Sequence, residues 1–310
     1  RLWNNPAVWA DNPKNVPPVW SGIFEGSRRV DHTVFEASEP TEVRNTTRGV
    51  ERVYTFNLGY TFDEAPTFTS FSLQNLTYYG RSPTISVSVV RPDGKSLRLF
   101  RLVVPAPRAG ETSPVQRYRQ TPLRVFLTGE ASVASEVAQF LQDEFEVRLS
   151  PSRLVGDVDE VIFGTPDAQS GGFRPLKGEY QISVVARFQD PLDTIGGVKF
   201  VLGGSEFGLM GTDSIGRDLA RGLIFGFPVA LSIGLVTAIM ATMIGTAMGI
   251  ISGYIGGKTD ISIQRFSDVL TNIPLLPILL FLAFVLGRHL WIVIVILIVF
   301  GWPGILGLTV

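Results

Sequence analysis

Gly211, Gly216, Arg217 and Asp218 carry the glycine spacing of a phosphate-binding loop, with two polar residues after the second glycine. Such a loop needs Lys to reach the phosphates and then Ser or Thr to hold magnesium. Arg217-Asp218 supplies neither, and a carboxylate in the second place repels the anion. The chain is therefore not expected to hydrolyse ATP. Other chemistry is thinner still. The two histidines, His32 and His289, fall in segments of opposite character, so no His-based metal site or catalytic triad is expected. Without cysteine there is no thiolate nucleophile, disulfide framework or iron–sulfur ligation. Asp157, Asp159 and Glu160 offer oxygens to calcium but lack the ligand spacing and glycine of a calcium loop, so a solvated acidic turn is expected there. No catalytic residue and no metal site emerges, and the chain is not read as an enzyme.

The elements that must carry the glycine motif differ sharply on its two sides. Fifty of the 55 Asp, Glu, Lys and Arg precede residue 223; only Lys258, Asp260, Arg265, Asp268 and Arg288 follow. They leave charge-free runs at 223–257, 269–287 and 290–310, each close to or beyond the roughly 20 helical residues that cross a hydrocarbon core. A net charge of -1 with no basic tract leaves no electrostatic footprint for nucleic acid. The first run is too long for one perpendicular span, about 52 Å at 1.5 Å per residue, and too short for two. Ile215, Leu219 and Leu223 share a face of 214–226, which predicts an interfacial helix there, followed from Pro228 by a span over about 230–252. In that span Gly245, Gly249 and Gly253 form a stripe that lets another helix approach closely. Further spans are expected over about 269–287 and 290–310, joined by a short turn at Arg288-His289. Pro274 and Pro277 lie inside the second and should bend it. Lys258 and Arg265 then fall in a cytoplasmic connection, which puts residues 1–210 on the outer face of the cell membrane.

The first 210 residues read as a water-soluble module. Alternation of period two over 53–60, 85–89 and 180–188 marks strands with one buried face, and Pro92 and Gly94 predict a hairpin turn within 83–104. Val133, Val137, Phe140 and Leu141 instead recur at helical spacing, which predicts one helix within 132–144. Leu176, Gly178 and Tyr180 resemble the corner of an immunoglobulin-like sandwich, where a Tyr hydroxyl ties a turn. The fold expected is thus a mostly-β, immunoglobulin-like sandwich with at least one helix over 25–205. Before it lies an extended arm over 1–24, rich in Trp and Pro, and after it an α-helical membrane region over 206–310. Trp in the arm would suit a membrane interface. Asn45 and Asn75 each open an Asn-x-Thr acceptor triplet.

One combination is specific. Gly-Thr-Asp-Ser-Ile-Gly-Arg-Asp at 211–218, then Arg221 and Gly226, Gly-Tyr-Ile-Gly-Gly at 253–257, Arg265, Asp268, Pro274 and Trp302-Pro303-Gly304 resemble the permease subunit of a dipeptide/oligopeptide ABC importer. The resemblance covers 211–304 and marks Gly211, Thr212, Asp213, Gly216, Arg217 and Asp218 as its motif. It implies an outer location for that motif, a first membrane helix before Arg1, and an ATPase-docking loop beyond Val310. It also implies a second homologous permease subunit, two ATPase subunits that hold ATP and magnesium, an extracytoplasmic substrate-binding protein and lipid as partners, with no cofactor in this chain. The family usually has only a short segment where this chain has some 200 residues. From the bottom up, both ends are expected to continue as a longer protein. The competing reading is a membrane-anchored extracytoplasmic binding or adhesion protein whose helices serve only as an anchor.

Overall fold

A computed structural model describes residues 2–309 except 25, 27, 168–170 and 288. The chain divides into two compact units, Arg1–Ala220 and Arg221–Val310, so the glycine motif goes with the first, not with the membrane segment from 206 onward.

Among the described residues, twelve strands form in the first unit: β1 (Thr33–Ala37), β2 (Glu42–Thr46), β3 (Gly49–Tyr60), β4 (Phe68–Tyr78), β5 (Thr84–Val90), β6 (Ser96–Val103), β7 (Val115–Arg117), β8 (Leu123–Phe126), β9 (Gly164–Pro166), β10 (Phe173–Pro175), β11 (Gly178–Phe188) and β12 (Thr194–Gly203). One five-stranded sheet runs β1-β12-β4-β7 with β8 also on β4; another runs β2-β3-β11-β5-β6, and every pairing is antiparallel. Alternation explains the core. Tyr180, Ile182, Val184, Ala186 and Phe188 of β11 are buried, as are Phe71 and Leu73 of β4, and both sets belong to one apolar cluster between the sheets. The β5–β6 hairpin turns at Gly94, whose φ of 79° suits a residue without Cβ.

Among the described residues, three α-helices add side chains to the same cluster: α1 (Ala131–Phe145), α2 (Pro151–Leu154) and α3 (Val158–Ile162). On α1, Val133, Val137, Phe140 and Leu141 are buried, as their spacing predicts. Arg91, from the hairpin turn, is buried beneath α3 and donates to the carbonyls of Val161 at 2.6 Å and Gly164 at 2.9 Å. Its guanidinium also lies over the rings of Phe140 and Phe145. Tyr180 donates its hydroxyl to the Leu176 carbonyl at 2.8 Å, so the corner Tyr does tie its turn.

The acidic turn expected at 157–160 differs. Asp159 is buried and accepts hydrogen bonds from Thr69 Oγ1 at 2.7 Å and Thr128 Oγ1 at 2.5 Å. Burial pushes its carboxyl up to about 6, against the pull of those hydroxyls. Two threonines distant in sequence make this burial tolerable, which no local pattern could reveal.

The second unit holds α4 (Leu219–Ile255) from Arg221 onward, with α5 (Gly257–Asn272), α6 (Leu275–Leu286) and α7 (Leu290–Thr309). Of these, α4 and α7 are long and apolar enough to cross a membrane, and a third crossing is available only if the bent pair α5–α6 counts as one. Three expectations change. The helix foreseen over 214–226 starts only at Leu219 and runs without interruption through Pro228. That proline costs the Ile224 carbonyl its N–H partner, whereas ending a helix within apolar sequence would orphan several groups. The connection foreseen around Lys258 and Arg265 is helical throughout, because 258–272 contains no Gly or Pro to stop it. The span foreseen over 269–287 is broken, not merely bent: α5 ends at Asn272, Pro274 stands at the head of α6, and the two axes differ by 77°. Pro277 then occupies the first turn of α6, where its missing N–H has no helical partner to lose. Of the foreseen turn, Arg288 lies outside the described residues; His289 precedes α7.

Candidate functional site

The motif at 211–218 folds into a small self-tied loop that launches α4. Asp213 is its nucleus. Its Oδ1 accepts from the backbone N–H of Ile215 at 3.1 Å and of Arg217 at 2.9 Å, while its Oδ2 accepts from Arg217 Nε at 2.6 Å. Burial opposes ionisation there, but those N–H groups and the guanidinium outweigh it and hold the Asp213 carboxyl below its ordinary value. Thr212 and Asp218 face each other as an isolated antiparallel bridge, and Leu219 N donates to the Gly211 carbonyl at 3.2 Å, which closes the loop on the first helical residue. Asp218 Oδ1 accepts from Ala220 N at 3.0 Å, so this carboxylate caps the helix, where its charge also suits the N-terminal dipole.

The N-terminal arm grips this loop. It is not simply laid over the surface: three short 3-10 turns, Leu2–Asn4, Pro6–Val8 and Val19–Phe24, bring Trp9 and Val16 into buried positions. Val16 and Thr212 exchange hydrogen bonds, Thr212 N to the Val16 carbonyl at 3.0 Å and Val16 N to Thr212 Oγ1 at 3.3 Å. Asn15 N donates to the Asp213 carbonyl at 3.0 Å, and Asn12 Nδ2 to the Gly216 carbonyl at 2.9 Å. The Arg217 guanidinium lies 5.0 Å from the centre of the Trp3 ring, a cation–π contact. Both motif glycines are required by this grip. Gly211 has φ 73° and a Cβ there would stand 2.3 Å from the Val16 carbonyl oxygen; Gly216 has φ 81° and would meet the Trp9 oxygen at 2.9 Å. Gly211, Thr212, Asp213, Gly216, Arg217 and Asp218 thus each do something structural, and the residues they need, from Trp3 to Val16, lie some 200 positions away. The Trp and Pro of the arm mark it as irregular chain, but no local pattern ties it to the motif.

Within the second unit, α4 presents Thr237, Ala241, Gly245, Gly249 and Ser252 as its buried face. At Gly245 a Cβ would lie 2.8 Å from both the Ile305 Cβ and the Trp302 carbonyl oxygen, so α7 approaches α4 at backbone distance there. Gly249 is buried, whereas Gly253 is exposed with nothing within 4 Å. Trp302 is buried and stacked on Phe266 of α5 at 6.1 Å, joining α4, α5 and α7 in a second apolar cluster with Ala241 and Leu270. Ser252 is fully buried and donates to Asp260 Oδ1 at 2.5 Å, tying α4 to α5 across the glycine pair at 256–257. Pro274 and Pro277 stand at and just after the break between α5 and α6. Among the described residues, no group of three or more His, Asp or Glu could hold a metal ion.

No protein-family profile matches the chain. Over about 100 residues it is similar to several permease proteins. It is 33% identical over 100 residues to the peptidoglycan transport system permease protein YejE of Agrobacterium fabrum, covering 32% of this chain and 26% of that protein. It is 36% identical over 96 residues to the dipeptide transport system permease protein DppC of Lactococcus lactis, covering 31% of this chain and 28% of the relative. To the oligopeptide transport system permease protein OppC of Haemophilus influenzae it is 32% identical over 95 residues, 31% of this chain and 30% of the relative. The chain therefore spans less than a third of the length of these relatives. Among solved structures, one of infectious bursal disease virus, Gx strain, aligns over 57% of this chain and 33% of that chain with 9% identity and a TM-score of 0.23, too remote to argue from.

Proposed function

We propose that this chain is part of the permease subunit of an ATP-driven importer of di- or oligopeptides, or of a related solute such as an oligosaccharide, and forms part of its translocation pathway. The observation that carries the reading is the similarity over about 100 residues to relatives named as transport permeases, in a chain with two helices apolar enough to cross a membrane. Residues 1–210 would lie on the outer face. A permease performs no covalent chemistry. ATP and magnesium would be held by two partner ATPase subunits, and a second homologous permease would complete the pathway. Transport then follows from the differential affinity of ATP and of the loaded extracytoplasmic binding protein for inward-open and outward-open states, since a ligand shifts an equilibrium only by such a difference. The break at Pro274 is the feature of this chain best suited to line a pathway, because irregular backbone at membrane depth is tolerated where it faces a cavity or other protein. The β unit would either dock the binding protein or act as a spacer against the partner permease; loss of binding-protein affinity with assembly intact, on deleting residues 25–200, supports docking.

The test uses the full-length protein, purified by affinity tag from its own membranes. Copurification of two ATPase subunits and a second permease, with ATP hydrolysis raised by peptide-loaded binding protein in nanodiscs, is the expected outcome. A chain that purifies alone and stable would instead favour a membrane-anchored binding or adhesion protein. Replacing Pro274 and Pro277 together by Ala should slow uptake in the intact transporter with assembly retained; unchanged uptake would remove the break from the pathway.

A further inference from the structure

Beside the grip on the motif, the first unit exposes large apolar side chains on two short uncharged stretches, 19–24 and 207–210. Ile23 is 79% exposed, Phe24 82% and Leu209 74%, with Trp20 and Met210 about half exposed. These stretches are pinned side by side: Val19 N donates to the Gly208 carbonyl at 3.0 Å, and Trp20 Nε1 to the Leu209 carbonyl at 2.9 Å. The Trp20 and Phe24 rings meet edge to face at 6.5 Å. The result is a held apolar patch, not scattered exposure, and a patch of this kind marks an interaction surface.

We infer that Trp20, Ile23, Phe24, Leu209 and Met210 insert into the boundary between headgroups and acyl chains of the bilayer that α4 enters. The position of the patch selects lipid as its occupant. Met210 precedes Gly211, whose carbonyl accepts from Leu219 N, so the patch lies one residue from the contact that begins α4. From Leu223 to the end of α4 at Ile255 no charged residue occurs, so the helix leaves water within a turn or so of that contact. An apolar patch anchored there stands at the water–lipid boundary, where Trp and Phe are favoured. The Trp20 indole N–H is already satisfied by Leu209, which removes the cost of burying an unpaired donor. The same geometry makes the arm a second anchor for the β unit, alongside α4. The inference rests on α4 entering a bilayer and not on what, if anything, is transported.

The sequence contains no cysteine, so single-cysteine spin labels report on one place each. Phe24→Cys, Leu209→Cys, Leu192→Cys and Leu235→Cys are labelled in the protein reconstituted into vesicles of phosphatidylcholine and phosphatidylglycerol. Collision with oxygen, which partitions into lipid, is compared with collision with a water-soluble nickel chelate. All four positions are exposed, so none of the substitutions threatens folding. Labels at Phe24 and Leu209 should show several-fold lower chelate access than the one at Leu192, on a loop of the β unit, with oxygen access near that at Leu235 on α4. Chelate access at Phe24 and Leu209 equal to that at Leu192 overturns the inference. Exclusion of both probes there overturns it too, because the patch would then be covered by protein. A label at Leu235 open to the chelate would instead remove α4 from the membrane, and the patch with it.

Discussion

Replacing Gly211 by Ala should release the arm from the motif, and the size of the effect can be worked from the geometry. Holding an L-residue at φ 73° costs about 1–2 kcal/mol. The new Cβ would also stand 2.3 Å from the Val16 carbonyl oxygen, a backbone atom that moves only if the arm moves. Moving it breaks the two hydrogen bonds between Val16 and Thr212, worth about 1 kcal/mol each. The sum, about 3 kcal/mol, corresponds to roughly a hundredfold faster amide exchange wherever local opening governs it. Hydrogen–deuterium exchange by mass spectrometry on the full chain in nanodiscs should show this acceleration in peptides covering 12–20 and 211–216. Gly94→Ala serves as the control: its φ is 79° but nothing lies within 4 Å of the added carbon, so it carries the strain without the clash. That variant should lose stability in the β5–β6 hairpin and leave the arm untouched. If Gly211→Ala exchanges at 12–20 like the unaltered protein, the arm is not held by the motif and the reasoning fails.

Three further outcomes follow from the same structure. Because the buried Asp159 carboxyl is raised from 3.8 to about 6, the folded state binds a proton that the unfolded state releases between those values. The contribution of Asp159 to stability should therefore be fully present below pH 4 and be lost, by about 3 kcal/mol, as pH rises through 6, and Asp159→Asn should flatten that part of the urea-unfolding profile. Arg91→Met removes the donor to Val161 and Gly164 and leaves buried carbonyls unpaired, with an expected loss of about 3–5 kcal/mol seen as a lower urea midpoint. On α4, Gly253→Ala should stabilise by up to about 1 kcal/mol through helix preference, whereas Gly245→Ala should destabilise because its Cβ meets Ile305 and Trp302 at 2.8 Å; thermal aggregation in detergent reads the opposite signs.

Local periodicity made the β unit legible. Strands β3, β5 and β11, the hairpin at Gly94 and helix α1 all follow from side chains that alternate or recur at 3.6 residues, because burial of one face is a local property of the chain. What periodicity could not show was decided by partners distant in sequence. Asp159 looks like a solvent-facing acid until Thr69 and Thr128 are brought to it. Likewise the motif invites comparison with a phosphate loop, but Asp213 is occupied by Arg217 and two backbone N–H groups, and Gly211 is shaped for Val16. Prolines misled in both directions in the helical unit. Pro228 left α4 intact, because apolar sequence on both sides makes any other backbone arrangement costlier, whereas Pro274 stands at the full break between α5 and α6.

The pairing of arm and motif also gives the β unit the character of an insertion with touching ends. Val30 accepts from Ser205 N at 3.0 Å, Pro17 from Phe207 N at 3.0 Å and Gly208 from Val19 N at 3.0 Å, so the chain enters and leaves the sheets through one narrow stem. The arm that clasps Gly211 is also tied to the sheets beyond this stem, through Asp11, which pairs with Arg124 and Lys199. Domains join a host chain most readily where their termini lie together, and here a module of this size is joined to a membrane helix at a point that needs only a few residues to span.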